Sequence, residues 1–150
     1  MTSISKKIYF ASDQHFGAPT PELSFPREQK FVAWLDEVKK DAEAIFLLGD
    51  LFDFWFEYKT VVPKGFVRVL GKLAEIRDSG IPIYFFVGNH DLWMNDYFEK
   101  ELNIPVFHEN QEYTFHGKTF LVGHGDGKGP GDLGYKRMKK VFTNPFSKWL

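Results

Sequence analysis

The sequence contains no cysteine, which excludes disulfide bonds and thiolate metal sites and leaves His, Asp and Asn as candidate metal ligands. It also contains no apolar run close to the ~20 residues that a helix needs to cross a bilayer. The first residues, Met1 to Lys7, lack the apolar stretch of a signal peptide. We therefore expect a cytoplasmic protein.

Net charge is almost absent as well. The chain has 19 basic and 20 acidic residues and a net charge of -1, so its composition gives no reason to expect a nucleic-acid partner. Its 150 residues, 43% of them hydrophobic, suffice for one domain with a real core. We expect most of the 17 Phe and 4 Trp to lie in that core, because large aromatic side chains carry much of the buried area.

Apolar periodicity in the first part of the chain predicts an alternation of strands and helices. Strands are predicted over residues 7–11, 44–48 and 83–87, and amphipathic helices over residues 26–40 and 64–79. This alternation is typical of an α/β fold with a parallel sheet and right-handed crossover connections.

The remaining predicted elements are a short helix, a hairpin and a basic helix, over residues 95–102, 111–122 and 132–142. The hairpin is predicted from two strand-like runs that flank His116-Gly117, a plausible two-residue turn. Asn144-Pro145 is expected to end the basic helix, and another helix is predicted to begin at Phe146.

Four short polar motifs each follow a predicted strand: Asp13-Gln14-His15, Gly49-Asp50, Gly88-Asn89-His90-Asp91 and Gly123-His124-Gly125-Asp126. Taken singly, each has an ordinary explanation as a turn or a cap. In parallel sheets, however, ligands gather beyond the carboxyl ends of the strands. The four motifs in this order therefore predict a centre for two metal ions.

Asp50 is the natural bridging ligand, because Gly49 permits a close approach of the backbone and each carboxylate oxygen can bind one ion. Asp13 and His15 are expected on the first ion, since residues two apart on extended backbone point to the same side. Asn89 and His124 are expected on the second ion. This ligand set suits Mn²⁺, Mg²⁺, Fe²⁺ or Zn²⁺.

The other histidines receive different predictions. His90 follows Asn89 directly and is the candidate catalytic residue, which would bind a phosphoryl oxygen or protonate a leaving group. Asp91 would either hold the ring of His90 or cap the next helix. His108, at a strand edge, and His116, in a turn, are expected not to bind metal.

The order and spacing of the four motifs resemble those of the calcineurin-like metallophosphoesterases. The resemblance implies an α/β fold of the metallophosphoesterase β-sandwich type with flanking helices. It also implies two divalent ions, with manganese the first choice, and hydrolysis of a phosphoester or pyrophosphate without a covalent enzyme intermediate. Such ions activate water and neutralise charge on the phosphoryl group under attack.

The segment Gly49 to Trp55 and the spacing from His124 to a basic helix further resemble the UDP-2,3-diacylglucosamine hydrolases, which release UMP from a lipid-linked sugar nucleotide. The resemblance implies substrate contacts at five residues: Trp55, Asn89, Asp132, Tyr135 and Arg137. Phe52, Phe54 and Phe56 would add apolar surface for acyl chains. The basic helices, with Phe146, Trp149 and Leu150, would rest on the cytoplasmic face of the inner membrane.

Two departures from these families bear on the prediction. His90 stands where well-known lipid enzymes carry Arg, and no Gly-His-x-His motif follows His124 to give each ion a further imidazole. We therefore expect one calcineurin-like domain over residues 1–150, incomplete at its C-terminus, with residues 126–150 beginning a helical insertion that covers the substrate. We expect such a fragment to bind metal weakly, to show little activity, and to pair with a second copy through an exposed sheet edge.

Two alternatives stay open on the sequence. One is a soluble metallophosphoesterase that acts on nucleotides, phosphoproteins or nucleic-acid ends. The other is a non-catalytic fragment or scaffold that keeps the fold but lacks the final metal ligands.

Overall fold

A computed structural model describes residues 5–126 and 133–144 of the chain. The strands and helices follow one another in this order: β1 (Lys7–Ala11), α1 (Pro21–Val38), β2 (Ala42–Leu47), α2 (Val67–Asp78), β3 (Ile83–Phe86), α3 (Tyr97–Leu102), β4 (Val106–Phe107), β5 (Gln111–Phe115), β6 (Lys118–Val122) and α4 (Leu133–Thr143).

The first four strands form one parallel sheet in the order β1-β2-β3-β4, with a helix in each connection. This confirms the predicted α/β architecture. The two residues of β4 were not predicted, because so short a strand has no periodicity of its own. Since all four strands are parallel, their carboxyl ends lie along one edge of the sheet, where the polar motifs follow.

Helices α1, α2 and α3 cover one face of this sheet. Their buried side chains, such as Leu35, Leu73 and Phe98, pack in one cluster with Ile45 and Phe85 of the sheet. Successive residues of β2 and β3 are mostly apolar and point to opposite faces of the sheet. Both strands are therefore buried on each face, as is typical of central parallel strands.

The β5–β6 hairpin covers the other face. Phe46 of β2 contacts Tyr113 and Phe115 of the hairpin edge-on, with ring centroids 4.9 and 5.7 Å apart. The predicted turn is present, since His116 and Gly117 both have positive φ, 52° and 75°. β6 is exposed over its first four residues. Association of two copies through an exposed edge of a sheet stays a prediction.

The starts of α1 and α2 differ from the predicted starts by several residues. α1 begins at Pro21 rather than at Pro26, because the Thr20 side chain caps it by accepting the Leu23 N–H and Pro21 has a φ suited to the first turn. α2 begins at Val67 rather than at 64, because Phe66 has a left-handed φ of 60°.

Within the described ranges, no helix combines the length and the apolar character needed to cross a membrane. Several predictions concern positions outside these ranges. They are the substrate contact at Asp132 and the further helix with Phe146, Trp149 and Leu150. Tyr135 lies in α4, but its side chain is outside the described part.

Candidate metal centre

The loop that follows β1 runs beside the loop that follows β2. The Asp13 N–H donates to the Gly49 carbonyl at 3.1 Å, and the His15 N–H donates to the Asp50 carbonyl at 2.9 Å. The next residue continues the pattern, since the Phe16 N–H donates to the Leu51 carbonyl. This backbone ladder brings the first two polar motifs together.

Two glycines let the loop after β2 approach the loop after β3. A Cβ on Gly88 would lie 2.0 Å from Asp50 Oδ1, and a Cβ on Gly49 would lie 2.6 Å from both the Gly88 nitrogen and His124 Nδ1. Gly49 also has a φ of 90°, which L side chains rarely adopt. No larger residue fits at either position while Asp50 and His124 stay where they are.

Asp13, His15 and Asp50 form the outer half of the centre. His15 Nε2 lies 3.7 Å from Asp13 Oδ1 and 3.7 Å from Asp50 Oδ2. All three residues have left-handed backbone, with φ between 47° and 60°. Such conformations are costly for residues with a Cβ, and they concentrate at functional sites.

Asn89, His124 and Asp50 form the inner half. His124 Nδ1 lies 2.6 Å from the Leu48 carbonyl. Since a carbonyl only accepts, Nδ1 must carry the proton, which leaves the lone pair of Nε2 free. That Nε2 lies 3.3 Å from Asn89 Oδ1 and 3.5 Å from Asp50 Oδ2.

The buried Asp50 carboxylate joins the two halves through one oxygen. Oδ2 faces His15 and His124, whereas Oδ1 accepts the His90 N–H at 2.9 Å. The expectation that each carboxylate oxygen takes its own ion is therefore not favoured by this geometry. The donor set on both sides of Oδ2 is carboxylate, imidazole and amide oxygen, which fits hard or borderline divalent cations.

Asp53 is a residue of the site that sequence reasoning missed. His90 Nδ1 donates to the Asp53 carbonyl at 2.9 Å, and both His90 Nδ1 and His15 Nδ1 lie 3.4 Å from Asp53 Oδ1. The ligand atoms of His15, Asp53 and His90 all lie within 4.8 Å of one another. The signal was a second Asp three residues after Asp50.

Asp91 does neither of the two things expected of it. It is fully buried and accepts the Gly88 N–H at 2.6 Å and the Leu51 N–H at 3.0 Å, so it ties the loop after β2 to the loop after β3. Burial raises the pKa of Asp91 to about 6, and the negative charge of Asp50 contributes to the rise. The ring of His90 is instead held by Asp53.

The aromatic residues after Asp50 divide between the core and the surface. Trp55 and Phe52 are completely buried, and the Trp55 indole N–H donates to Glu57 at 2.9 Å. This burial contradicts a direct substrate contact at Trp55. Phe54, by contrast, is 59% exposed and packs against Trp93.

Helix α4 lies beside this aromatic surface. The Phe142 carbonyl accepts the Trp93 indole N–H at 3.3 Å, and Lys139 is paired with Asp126 at 2.8 Å. Arg137, expected at the substrate, is exposed. It lines an open groove of 690 Å³ together with Leu92, His108, Glu109, Leu133, Lys136, Lys139 and Lys140.

The two histidines that were expected not to bind metal differ in their surroundings, and that expectation stays a prediction. His108 follows β4 and lines the groove beside α4. His116 lies in the hairpin turn, where its Nε2 is 2.9 Å from Glu43 Oε2.

Comparison with known proteins shows which family the chain resembles. The family model for the calcineurin-like phosphoesterases matches residues 6–149. A UDP-2,3-diacylglucosamine hydrolase from Porphyromonas gingivalis is 43% identical over 145 residues, which are 96% of this chain and 55% of that protein. One from Edwardsiella ictaluri is 30% identical over 141 residues, which are 94% of this chain and 52% of that protein.

The chain thus spans about half the length of the curated relatives that it matches. A solved structure of a protein of unknown function from Aquifex aeolicus resembles it with a TM-score of 0.55 and 21% identity. The likeness covers 95% of this chain and 73% of that one, and it supports the fold alone.

Proposed function

Because the chain belongs to the calcineurin-like phosphoesterase family, whose members use a pair of divalent metal ions, we propose that it hydrolyses a phosphoester or pyrophosphate bond. One observation carries the proposal. His15 Nε2 and His124 Nε2 approach Asp50 Oδ2 from two sides, at 3.7 and 3.5 Å. A single buried carboxylate oxygen faced by two imidazoles would serve as the core of a two-cation site.

Asp13 and His15 would hold one ion, and Asn89 and His124 the other, with Asp50 between them. Bound ions supply activation of water and neutralisation of negative charge on the phosphoryl group. Manganese is our first choice on the family resemblance, and Mg²⁺, Fe²⁺ and Zn²⁺ suit the same oxygen and imidazole ligands.

His90 is the proposed catalytic residue. Its Nδ1–H is used by the Asp53 carbonyl, so Nε2 is the ring atom left for substrate. In the imidazolium form, His90 would use its Nε2–H to bind a phosphoryl oxygen or to transfer that proton to the leaving oxygen. Asp53 fixes the orientation of the ring, and exposed Asn89, beside His90, would also contact the phosphate.

We further propose that the substrate is the diacylated sugar nucleotide named in the relatives, UDP-2,3-diacylglucosamine. Addition of one water across its pyrophosphate gives UMP and the diacylated sugar 1-phosphate. A groove of 940 Å³ is lined in part by Phe56, Tyr58 and Trp93. Its aromatic wall is suited to acyl chains.

The same substrate would bring the protein to a membrane surface, because its acyl chains reside in a bilayer. Exposed Arg137 and its basic neighbours on α4 would then face anionic head groups or the substrate's own phosphates. Substrate contacts at Asp132 and Tyr135 are proposed on the family resemblance alone. We propose that the protein acts at the cytoplasmic face of the inner membrane.

The test compares detergent-dispersed UDP-2,3-diacylglucosamine with an aryl phosphate in the presence of Mn²⁺. UMP release is expected to exceed aryl phosphate hydrolysis at least about tenfold, since lipid contacts outside the phosphate add binding energy. The measured quantity is the ratio of the two hydrolysis rates rather than either absolute rate. Asp50→Asn should abolish the activity, whereas His116→Ala, in the distant turn, should leave it unchanged.

Other outcomes select the alternatives. Equal or faster hydrolysis of the aryl phosphate would favour a metallophosphoesterase without lipid specificity. Absence of bound Mn²⁺ by elemental analysis, together with no hydrolysis of either compound, would favour the non-catalytic alternative.

A further inference from the structure

Arg27 of α1 binds three backbone carbonyls of the loop that carries Asp13 and His15. Its Nε donates to the Gln14 carbonyl at 2.8 Å, and its Nη2 donates to the His15 and Ala18 carbonyls at 2.8 and 2.6 Å. Arg27 is exposed, and an exposed arginine ordinarily keeps its guanidinium in water. Three bonds from one surface side chain to one short loop are therefore a specific arrangement.

The loop needs such an external support. Asp13 and His15 have φ values of 60° and 47°, and this left-handed backbone is unfavourable for a residue with a Cβ. The N–H groups of both residues are bonded to carbonyls of the loop after β2. On the opposite side, carbonyls of the same loop are bonded to Arg27.

Helix α1 supplies a second contact near Arg27. The buried hydroxyl of Ser24, three residues earlier in the helix, accepts the Gly17 N–H at 2.7 Å. The loop is thus held between the loop after β2 and the first turns of α1. His15 lies at the middle of this span.

We propose that Arg27 is a positioning residue of the metal centre, which holds Asp13 and His15 in the left-handed backbone that aims them at Asp50 Oδ2. The inference rests on the proposed metal binding of these residues. It assigns Arg27 no contact with metal or substrate, because its three hydrogen bonds are all to backbone carbonyls.

The planar guanidinium suits this task, since it presents several N–H donors in a fixed fork. A lysine has one compact ammonium on a flexible stem and reproduces the geometry poorly. We therefore expect Arg27→Lys to restore only part of what Arg27→Gln removes.

Arg77 provides a matched control. It donates to two backbone carbonyls, those of Asn103 and Ile81, both at 2.8 Å, at the far end of α2. Arg77→Gln removes a comparable carbonyl clamp that does not contact any loop of the centre. A general effect of losing such a clamp should appear equally in both variants.

The first measurement is Mn²⁺ titration of the full chain by calorimetry. Arg27→Gln is expected to weaken the binding about tenfold or more, as is usual when a group that orients metal ligands is removed. Arg27→Lys should fall between Arg27→Gln and the wild type, and Arg77→Gln should bind within about twofold of the wild type. Equal weakening in Arg27→Gln and Arg77→Gln, or none in Arg27→Gln, would overturn the inference.

The second measurement is amide hydrogen exchange in the metal-free chain. The His15 and Phe16 amides, bonded across to the loop after β2, are expected to exchange about tenfold faster in Arg27→Gln and unchanged in Arg77→Gln. Unchanged exchange in Arg27→Gln would overturn the positioning role whatever the metal result. Absence of Mn²⁺ binding by the wild type, with the exchange effect present, would instead refute the proposed function.

Discussion

The two halves of the candidate metal centre are built in different ways. In the outer half, the side chains of Asp13 and His15 are 54% and 31% exposed and stand on a loop with left-handed residues. In the inner half, His124 is 10% exposed, and its ring is bonded to the carbonyl at the end of β2. Asp50, 3% exposed, belongs to both halves.

This difference separates two means of positioning a ligand. The inner half depends on close backbone packing, since Gly49 and Gly88 leave no room for a side chain beside Asp50 and His124. The outer half depends on polar contacts from Arg27 and Ser24 to a surface loop. We expect metal binding by the inner half to be lost when a larger side chain replaces one of these glycines. We expect metal binding by the outer half to be weakened when the hydrogen bonds to its loop are removed.

The largest effect is expected from Gly88→Ala. The new Cβ would lie 2.0 Å from Asp50 Oδ1, so the shared carboxylate must move and both halves are lost. We expect Mn²⁺ binding to weaken more than about 100-fold and the free energy of unfolding to fall by about 1–3 kcal/mol, as measured by calorimetry and urea denaturation.

Gly71→Ala is the matched control for this substitution. Gly71 lies in α2, where a Cβ would meet no atom within 4 Å. It should leave Mn²⁺ binding unchanged and stabilise the protein by about 0.5–1 kcal/mol, because alanine is the better helix former. Undiminished Mn²⁺ binding by Gly88→Ala would show that the close approach does not position Asp50.

A smaller effect, confined to one half, is expected from single histidine substitutions. His15→Ala and His124→Ala should each reduce bound Mn²⁺ from two ions to one, as measured by elemental analysis. Only His124→Ala should also lower stability, by about 1 kcal/mol, since it removes the donor to the Leu48 carbonyl. Greater destabilisation by His15→Ala than by His124→Ala would contradict this assignment, in which only His124 is anchored to the fold through its ring.

The smallest effect is a pH dependence that involves Asp91, which ties the loops beneath Asp50. Burial raises the pKa of Asp91 from 3.8 to about 6, so between these values the folded state holds a proton that the unfolded state releases. This contribution to stability is complete below about pH 4 and is lost as pH rises through about 6.

Asp91→Asn, which does not titrate, isolates this contribution in the metal-free chain. The stability advantage of the wild type over Asp91→Asn should shrink by about 2–3 kcal/mol as the pH is raised across this window, as measured by urea denaturation. A constant difference between the two proteins over this pH range would contradict the assignment.

Most of the fold was predictable because the apolar patterns are strong. β1 and both strands of the hairpin were predicted to the residue, and their periodicity is uninterrupted. The start of α1 was missed because the prediction began the helix at Pro26, which lies inside α1. Thr20, a favoured N-cap residue directly before Pro21, was the signal in the sequence.

The convergence of the polar motifs was also predictable, because the ends of parallel strands share one edge of a sheet. The structure brings Asp13, His15, Asp50, Asn89 and His124 together there, and their role as ligands stays a prediction. The family resemblance drawn from these motifs is confirmed.

The supporting residues were not predictable. Trp55 and Phe54 lie in an irregular segment without periodicity, so the sequence did not reveal which of them points inward. Asp91 was assigned to His90 by adjacency, although its carboxylate reaches back to the loop after β2. From the sequence, Arg27 is expected to be a solvent-exposed charge on an amphipathic helix, because no sequence pattern predicts hydrogen bonds from it to backbone carbonyls.

The binding of the His90 N–H to one oxygen of Asp50 has a consequence for how metal would load. Two cations held by His15 and His124 would share the other oxygen, Oδ2, and the first to bind would withdraw electron density from the atom that the second requires. Mutual repulsion of the cations acts in the same direction. Loading is therefore expected to be anticooperative, with singly occupied molecules prevailing when metal is scarce.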